Sequence, residues 1–489
     1  MRSAIVRWGA VAIAAATVAA CSGSRSNDTG TATTAAASTA AATTAPATSA
    51  AATTATSGAA TTAAATTTTA PKGATFGTLA SPCGAGTAKA ATEQGVTADK
   101  ITIGYGDDAG FAASPGLNHE MSDAMKAMIK WCNDQGGING RQIDGVYYDA
   151  KITEVNNVWL DACSKLFMMV GQGFALDGSQ EDTRLGCNLA TVPTYSVSAD
   201  FANAPLMVQA VPNPIDYVPG QQFAALAKAF PDKIGKSALM FANFSATLDT
   251  KDKAAVAMQK YGYTILPCDQ QYNINGEADW KPFVQKLKDC GAEMVYFTGS
   301  PFPNFENVLD AAAQLDYKPI WFVDTNFYVD QFAKWNTNGN GDNVYIRMAF
   351  VPLEQAGSNP AVKQYIDTVK ANGGDISQLG AQATSSFLLW ATAAKACGDT
   401  LTRQCVLDQI KALPQWTGGG LHAPTHPADN KPPECGLVLK LTGTAYQQWN
   451  PSQAGQFDCN PDYVVPVTGP VVDQAALGPD RVSTKHKAS

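Results

Sequence analysis

His422 and His426 stand four residues apart, the spacing at which two imidazoles share one helix face and can hold a metal ion. Pro424 and Pro427 bar a regular helix across them, so both read as loop residues. His119 has no nameable catalytic partner and reads as a surface or helix-start residue. The neighbouring acids Asp107 and Asp108 are of the type that general acid–base chemistry uses, but an acidic chain contains such pairs without that role. Glycine-based signatures fail as well. The stretch GQGFALDG (171–178) lacks the third glycine of a dinucleotide loop, and neither a phosphate loop nor Gly-x-Ser-x-Gly occurs. No reactive constellation is legible in these residues, so no catalytic activity, cofactor or metal is expected.

Cysteine is the remaining reactive type, and there are eleven. Cys21 closes an uncharged stretch from Trp8 to Ala20 that follows Arg2 and Arg7, the layout of a secretory leader. The stretch is too short for a membrane span, which takes roughly 20 apolar residues. Val18-Ala19-Ala20-Cys21 resembles the bacterial lipoprotein signal, in which the cysteine becomes the acylated first residue. Residues 1–21 are therefore expected to be a signal peptide with its anchor cysteine. Ten cysteines remain, an even number in an exported chain, which favours disulfides over metal or redox sites. Proximity favours Cys163 with Cys187, Cys397 with Cys405, and Cys435 with Cys459; Cys83 with Cys132 and Cys268 with Cys290 follow by elimination only. The last pair meets a geometric objection. Cys268 ends an apparent strand and Cys290 ends the returning helix, placing them at opposite ends of a sheet unless residues 268–278 fold back.

The net charge is −8, and removing Arg2 and Arg7 takes it to −10. No basic cluster exists to neutralise phosphates, which argues against nucleic acid as a partner. Residues 28–72 are almost wholly Thr, Ala and Ser and cannot build a core, so 22–95 reads as a disordered linker. A flexible chain of about 55 residues spans on the order of 40 Å, enough to lift a domain from a surface.

The elements behind these residues alternate. ITIGYG (101–106), IDGVYYD (143–149), KLFMMVG (165–171), TVPTYS (191–196), SALMFA (237–242), GYTILP (262–267), EMVYFTG (293–299) and PIWFVD (319–324) read as strands. Met121, Met125, Met128, Ile129 and Cys132 recur at helical spacing, and 217–230, 248–261, 279–290, 303–316 and 379–397 have helical length. GLVLKLT (436–442) reads as a late strand. Such alternation implies an α/β fold of parallel sheets flanked by helices, and roughly 400 residues are too many for one core.

GVTADKITIGYG, the turn GGINGR (136–141) before a strand ending Tyr148-Asp149, TVPTYSVSAD (191–200) and ADWKPFVQKLKDCGAEMVYFTG (278–299) together resemble the branched-chain amino acid (Leu/Ile/Val) binding proteins. These are periplasmic binding protein type I, the substrate-binding lipoproteins of ABC transporters. The resemblance covers about 96–445. It implies two lobes that shut over a ligand, with 96–212 plus 345–425 as lobe 1, 213–344 plus 426–470 as lobe 2, and 471–489 as a flexible tail. It implies a role as an extracytoplasmic solute-binding protein, anchored to the cell membrane through Cys21, with a small-molecule ligand, the bilayer and an ABC permease as partners. A ligand-sensing receptor of the same fold is the alternative. Carried over by position, the ligand contacts are Phe174, Ala175, Ser196, Ser198, Phe302, Asp324 and Asn326. Ala175 stands where the family has a hydroxyl and Asn326 where it has an acid, so an amide, a less charged metabolite or a hydrophobic molecule fits as well as an amino acid. Ser196 and Ser198 also suit a turn, Phe302 suits loop packing, and Asp324 or Asn326 suits a helix cap.

Overall fold

The computed structural model describes residues 75–489. Cys21, the leader and most of the Thr/Ala-rich linker lie outside the described residues. Where the description starts, β1 (Thr75–Phe76) and β2 (Leu79–Ala80) form a hairpin. Gly77 turns it at φ 54°, and a Cβ there would lie 2.3 Å from the Gly419 carbonyl oxygen. Phe76 is fully buried and packs edge-on against Trp131. Residues 75–95, expected to belong to the linker, are thus built onto the folded body.

The first sheet follows: β3 (Lys100–Asp107), α1 (His119–Asn133), β4 (Gln142–Asp149), α2 (Val155–Lys165), β5 (Met168–Val170), α3 (Glu181–Gly186) and β6 (Thr191–Val192). Its four strands are parallel in the order β4-β3-β5-β6. Ile101, Ile103 and Tyr105 share one core with Met121, Met125 and Met128 of α1. On the opposite face Gly106 lets Tyr148 close in; a Cβ there would lie 2.2 Å from the Tyr148 carbonyl oxygen.

The second sheet is longer. Its stretch of chain opens with β7 (Tyr217–Pro219), which is not one of its strands. It continues through α4 (Gln221–Ala229), β8 (Ser237–Ala242), α5 (Ser245–Lys260), β9 (Gln270–Tyr272), α6 (Lys281–Asp289), β10 (Met294–Thr298), α7 (Glu306–Gln314), β11 (Ile320–Val323), α8 (Asp330–Trp335) and β12 (Val344–Met348). The chain then returns to the first sheet with α9 (Pro360–Ala371), α10 (Gln378–Cys397) and α11 (Arg403–Lys411), and finishes with β13 (Cys435–Thr442), β14 (Ala445–Asn450), β15 (Asp458–Cys459), β16 (Val464–Pro466) and α12 (Pro470–Asp473). The order β14-β13-β12-β11-β10-β8-β9 is parallel except at β13 and β14, which run antiparallel at one edge. β7 and β16 form a separate antiparallel pair.

Period-two alternation explains why these strands are apolar throughout. Leu239, Phe241, Met294, Tyr296, Ile320 and Phe322 face one core, with α4 and α5, while Ala238, Met240, Val295, Phe297, Trp321 and Val323 face the other, with α6 and α7.

Three expectations change. GYTILP is not a strand: Ile265 only bridges Ser237, and the strand is β9, further on. Cys268 therefore precedes a parallel strand, at the sheet end where α6 also terminates, which removes the objection to its pairing with Cys290. All five expected disulfides are present. β12 lies wholly in the second sheet, so the return to the first falls after Met348 and not at residue 345. Residues 471–489, expected to be loose, are packed: Val471 and Ala475 are buried, and Arg481 pairs with Asp216 at 2.6 Å.

Candidate functional site

Parallel strands present their following loops at one end, the usual ligand end of an open α/β sheet. Here loops of both sheets line one cleft that opens to solvent, its empty space of about 1180 Å³ including the open solvent at its mouth. Leu117, Asn118, Ile152, Ala175, Tyr195 and Val197 come from the first sheet's loops. Phe244 follows β8, Thr298 to Ser300 end β10, Asp324 to Asn326 follow β11, and Arg347 lies in β12. Gln378, Leu379 and Gln382 come from the start of α10. The floor is made by the crossings between the sheets, through Val211 to Asn213, Ala349 with Phe350, and Pro432 with Pro433.

The first-sheet wall has its backbone donors occupied. Asp108 accepts from the Ile152 and Ala175 amides at 2.6 and 2.7 Å, and Asp177 accepts from the Val197 and Ser198 amides at 2.7 and 3.1 Å. Both acids are buried, and burial pushes each carboxyl up to about 7, against the pull of those amides. These carboxylates sit on the loop N–H groups that would otherwise turn to a ligand.

Of the residues expected at the ligand, Ala175, Asp324 and Asn326 line the cleft. Phe174 turns inward, 1% exposed, against Trp159. Ser196 is buried and donates to Gln209 Oε1 and the Asn213 carbonyl, fastening the first crossing. Ser198 is buried in the turn that Asp177 organises. Phe302 is buried as well, and its carbonyl accepts from Ser114 Oγ at 2.6 Å, linking loops of the two sheets. Only Ser196 is held by side-chain hydrogen bonds; Ser198 Oγ is buried without a partner among the described residues, and Phe302 bonds through its backbone carbonyl. Asn326 donates to the Gly299 carbonyl at 3.0 Å. Asp324 does precede a short helical turn, but its side chain makes no capping bond.

Asp324 instead takes Arg347 Nε on one oxygen at 2.8 Å and the Tyr296 hydroxyl on the other. Tyr296 is buried beside that carboxylate, and both effects hold its hydroxyl protonated. Arg347 is the residue that sequence reading missed. Its signal was present: in VYIRM the alternating Val344, Ile346 and Met348 face the core, leaving an arginine on the other face at the ligand end of the strand.

The histidines are occupied. His422 is buried, with Nε2 2.8 Å from Ser385 Oγ and Nδ1 2.7 Å from the Ala423 carbonyl, and burial lowers it to about 4. His426 meets the Pro414 carbonyl. His119, which starts α1, approaches Asp123 and Asp375, and this is the one metal-compatible cluster among the described residues. Its members are already paired, His119 Nε2 with Asp375 at 3.3 Å and Lys370 with the same acid at 3.0 Å. No helix among the described residues is long and apolar enough to cross a membrane.

Two α/β lobes with a cleft between their strand ends define a two-lobed α/β fold. Residues 180–445, more than half of the chain, match the family model described as periplasmic binding protein, and the chain belongs to that family, whose location is extracytoplasmic. Solved structures agree on the fold. A fatty acid ABC transporter substrate-binding protein from Thermomonospora curvata is 15% identical over 78% of this chain and 98% of its own, with a TM-score of 0.64. The branched-chain amino acid transporter substrate-binding protein LivJ from Streptococcus pneumoniae, in complex with isoleucine, is 16% identical over 72% and 100%, with a TM-score of 0.58. A solute-binding protein from R. palustris in complex with 4-hydroxybenzoate is 13% identical over 70% and 93%, with a TM-score of 0.57. A search of curated protein sequences finds no match.

Proposed function

We propose that this chain is the substrate-binding lipoprotein of an ABC-type importer. It is held at the outer face of the cell membrane through acylated Cys21, and it carries a small molecule, chemically unchanged, from the medium to a permease. The observation that carries this reading is a single cleft lined by loops of both sheets and floored by all three crossings. Closing such lobes buries the ligand and changes the outer surface that a membrane partner meets. Ala175, Asp324 and Asn326 are the proposed contacts carried over from the sequence. Arg347 joins them.

A thermal-shift screen of amino acids, amides, short peptides and lipophilic metabolites tests the binding role. A ligand at about 100 times its Kd stabilises the native state by roughly 2.7 kcal/mol. The bound compound is recovered and compared with its input; a chemically altered product would end the transport reading. Anchoring is tested separately. Cys21→Ser should move the chain from the membrane fraction to the medium, since stable attachment needs more than one acyl chain.

A further inference from the structure

Five arginines lie among the described residues, and four have every nitrogen occupied. Arg141, Arg184, Arg403 and Arg481 each donate from Nε, Nη1 and Nη2 to carbonyl or carboxylate oxygens of the protein. Arg347 donates only from Nε, to Asp324. Its two terminal nitrogens have no acceptor among the described residues, and its side chain, 21% exposed, lines the cleft. A guanidinium fork half out of water with two open donors is a receptor for a planar anion.

The surroundings narrow the class. Arg347 is the only cation lining the cleft among the described residues. Lys253 lies near, but its Nζ is held by Asn213 Oδ1 and the Pro214 carbonyl. Asp324 is the only acid lining it among the described residues, and each of its oxygens already accepts a hydrogen bond, so no uncommitted carboxylate is there to pair with an ammonium group. Asp324 also neutralises one charge of the pair, which suits a single negative charge and repels a doubly charged phosphate. Ser300 Oγ, buried and without a partner, lines the same wall. Neutral polar side chains, among them Asn118, Thr250 and Gln382, also line the cleft, but most of the lining surface is apolar, through Leu117, Ile152, Val197, Phe244, Phe350 and Leu379.

The geometry points to an apolar monocarboxylic acid without a free amine as the ligand, its carboxylate on Arg347 Nη1 and Nη2 in the second lobe. This deepens the solute-binding reading and rests on it.

The test is calorimetric titration of the full chain with octanoate and benzoate, each paired with its amide, and with leucine. At least one acid should bind, about tenfold or more tighter than its amide, because a charge-assisted bidentate contact is at stake. Arg347→Gln should abolish that preference while the unfolding midpoint without ligand stays near wild type; Arg347→Lys should restore part of it. Equal binding of acid and amide, an unchanged preference in Arg347→Gln, or binding of leucine alone would overturn the carboxylic-acid assignment and leave the solute-binding reading standing. If no compound of these or of the wider screen binds, both fall.

Discussion

Asp177 and Asp108 do for the first-lobe loops what a ligand carboxylate would otherwise do, and that substitution has a pH signature. Asp177 titrates near 7 when folded because burial raises it, against an ordinary value of 3.8. A carboxyl raised on folding binds more protons in the native state, so its contribution is fully present below 3.8 and is lost as pH rises through about 7. Asp177→Asn sets an amide hydrogen against the Val197 or Ser198 N–H and should destabilise the protein by about 1–3 kcal/mol at pH 5. Between pH 5 and pH 8 the gap to wild type should shrink by on the order of 1–3 kcal/mol, because only wild type loses stability there. Urea unfolding at the two pH values decides, and a gap independent of pH defeats the assignment. At this scale the sequence revealed loops that reach the cleft but not which atoms of those loops are free. Ala175 sits at the cleft while its amide belongs to Asp108, and Arg347 belongs to no motif at all. Motif spacing records chain position, whereas donor occupancy is a property of the folded contacts.

Secondary elements were more legible where burial is complete. β3, β8, β10 and β11 fall where their apolar runs fall, because strands covered on both faces must be apolar at every position. β12 carries Arg347 and follows a Gly- and Asn-rich stretch, so its five residues gave too little contrast. β9, QQY, is polar because it is the sheet's edge strand, and the apolar GYTILP before it drew the assignment upstream. The β1–β2 hairpin was hidden by the low-complexity run that leads into it, although Phe76 breaks that run with the only aromatic ring between Trp8 and Tyr105. Phe76 is fully buried, so Phe76→Ala should cost about 3–5 kcal/mol, the transfer and cavity penalty of a buried aromatic. Chemical denaturation of the full chain reads this directly; a cost below about 1 kcal/mol would mean the hairpin is a loosely laid strap.

For the whole molecule, the proposed function depends on a balance between open and shut lobes, and contacts that would favour the shut form can be tested singly. Thr325 Oγ1 donates to Gln378 Oε1, and Ser114 Oγ donates to the Phe302 carbonyl, each joining a loop of one sheet to an element of the other. The Ser114 contact connects the loops after β3 and β10, away from the crossings beside β12 and β13. Opening the cleft about those crossings must break it. A contact made only in the shut form adds to ligand affinity through the fraction of binding-competent protein, and contributes little to the folding of either lobe. Ser114→Ala removes one neutral hydrogen bond, a net of about 0.5–1.5 kcal/mol, so affinity for the compound selected in the screen should fall about three- to tenfold. The loss should appear mainly as faster dissociation, with the ligand-free unfolding midpoint unchanged. X-ray scattering of wild type should show a smaller radius of gyration with ligand than without, and Ser114→Ala should need more ligand to reach it. A radius that ligand leaves unchanged, or an affinity indifferent to Ser114, would show that the lobes do not shut on the ligand and that the contact is part of a rigid body.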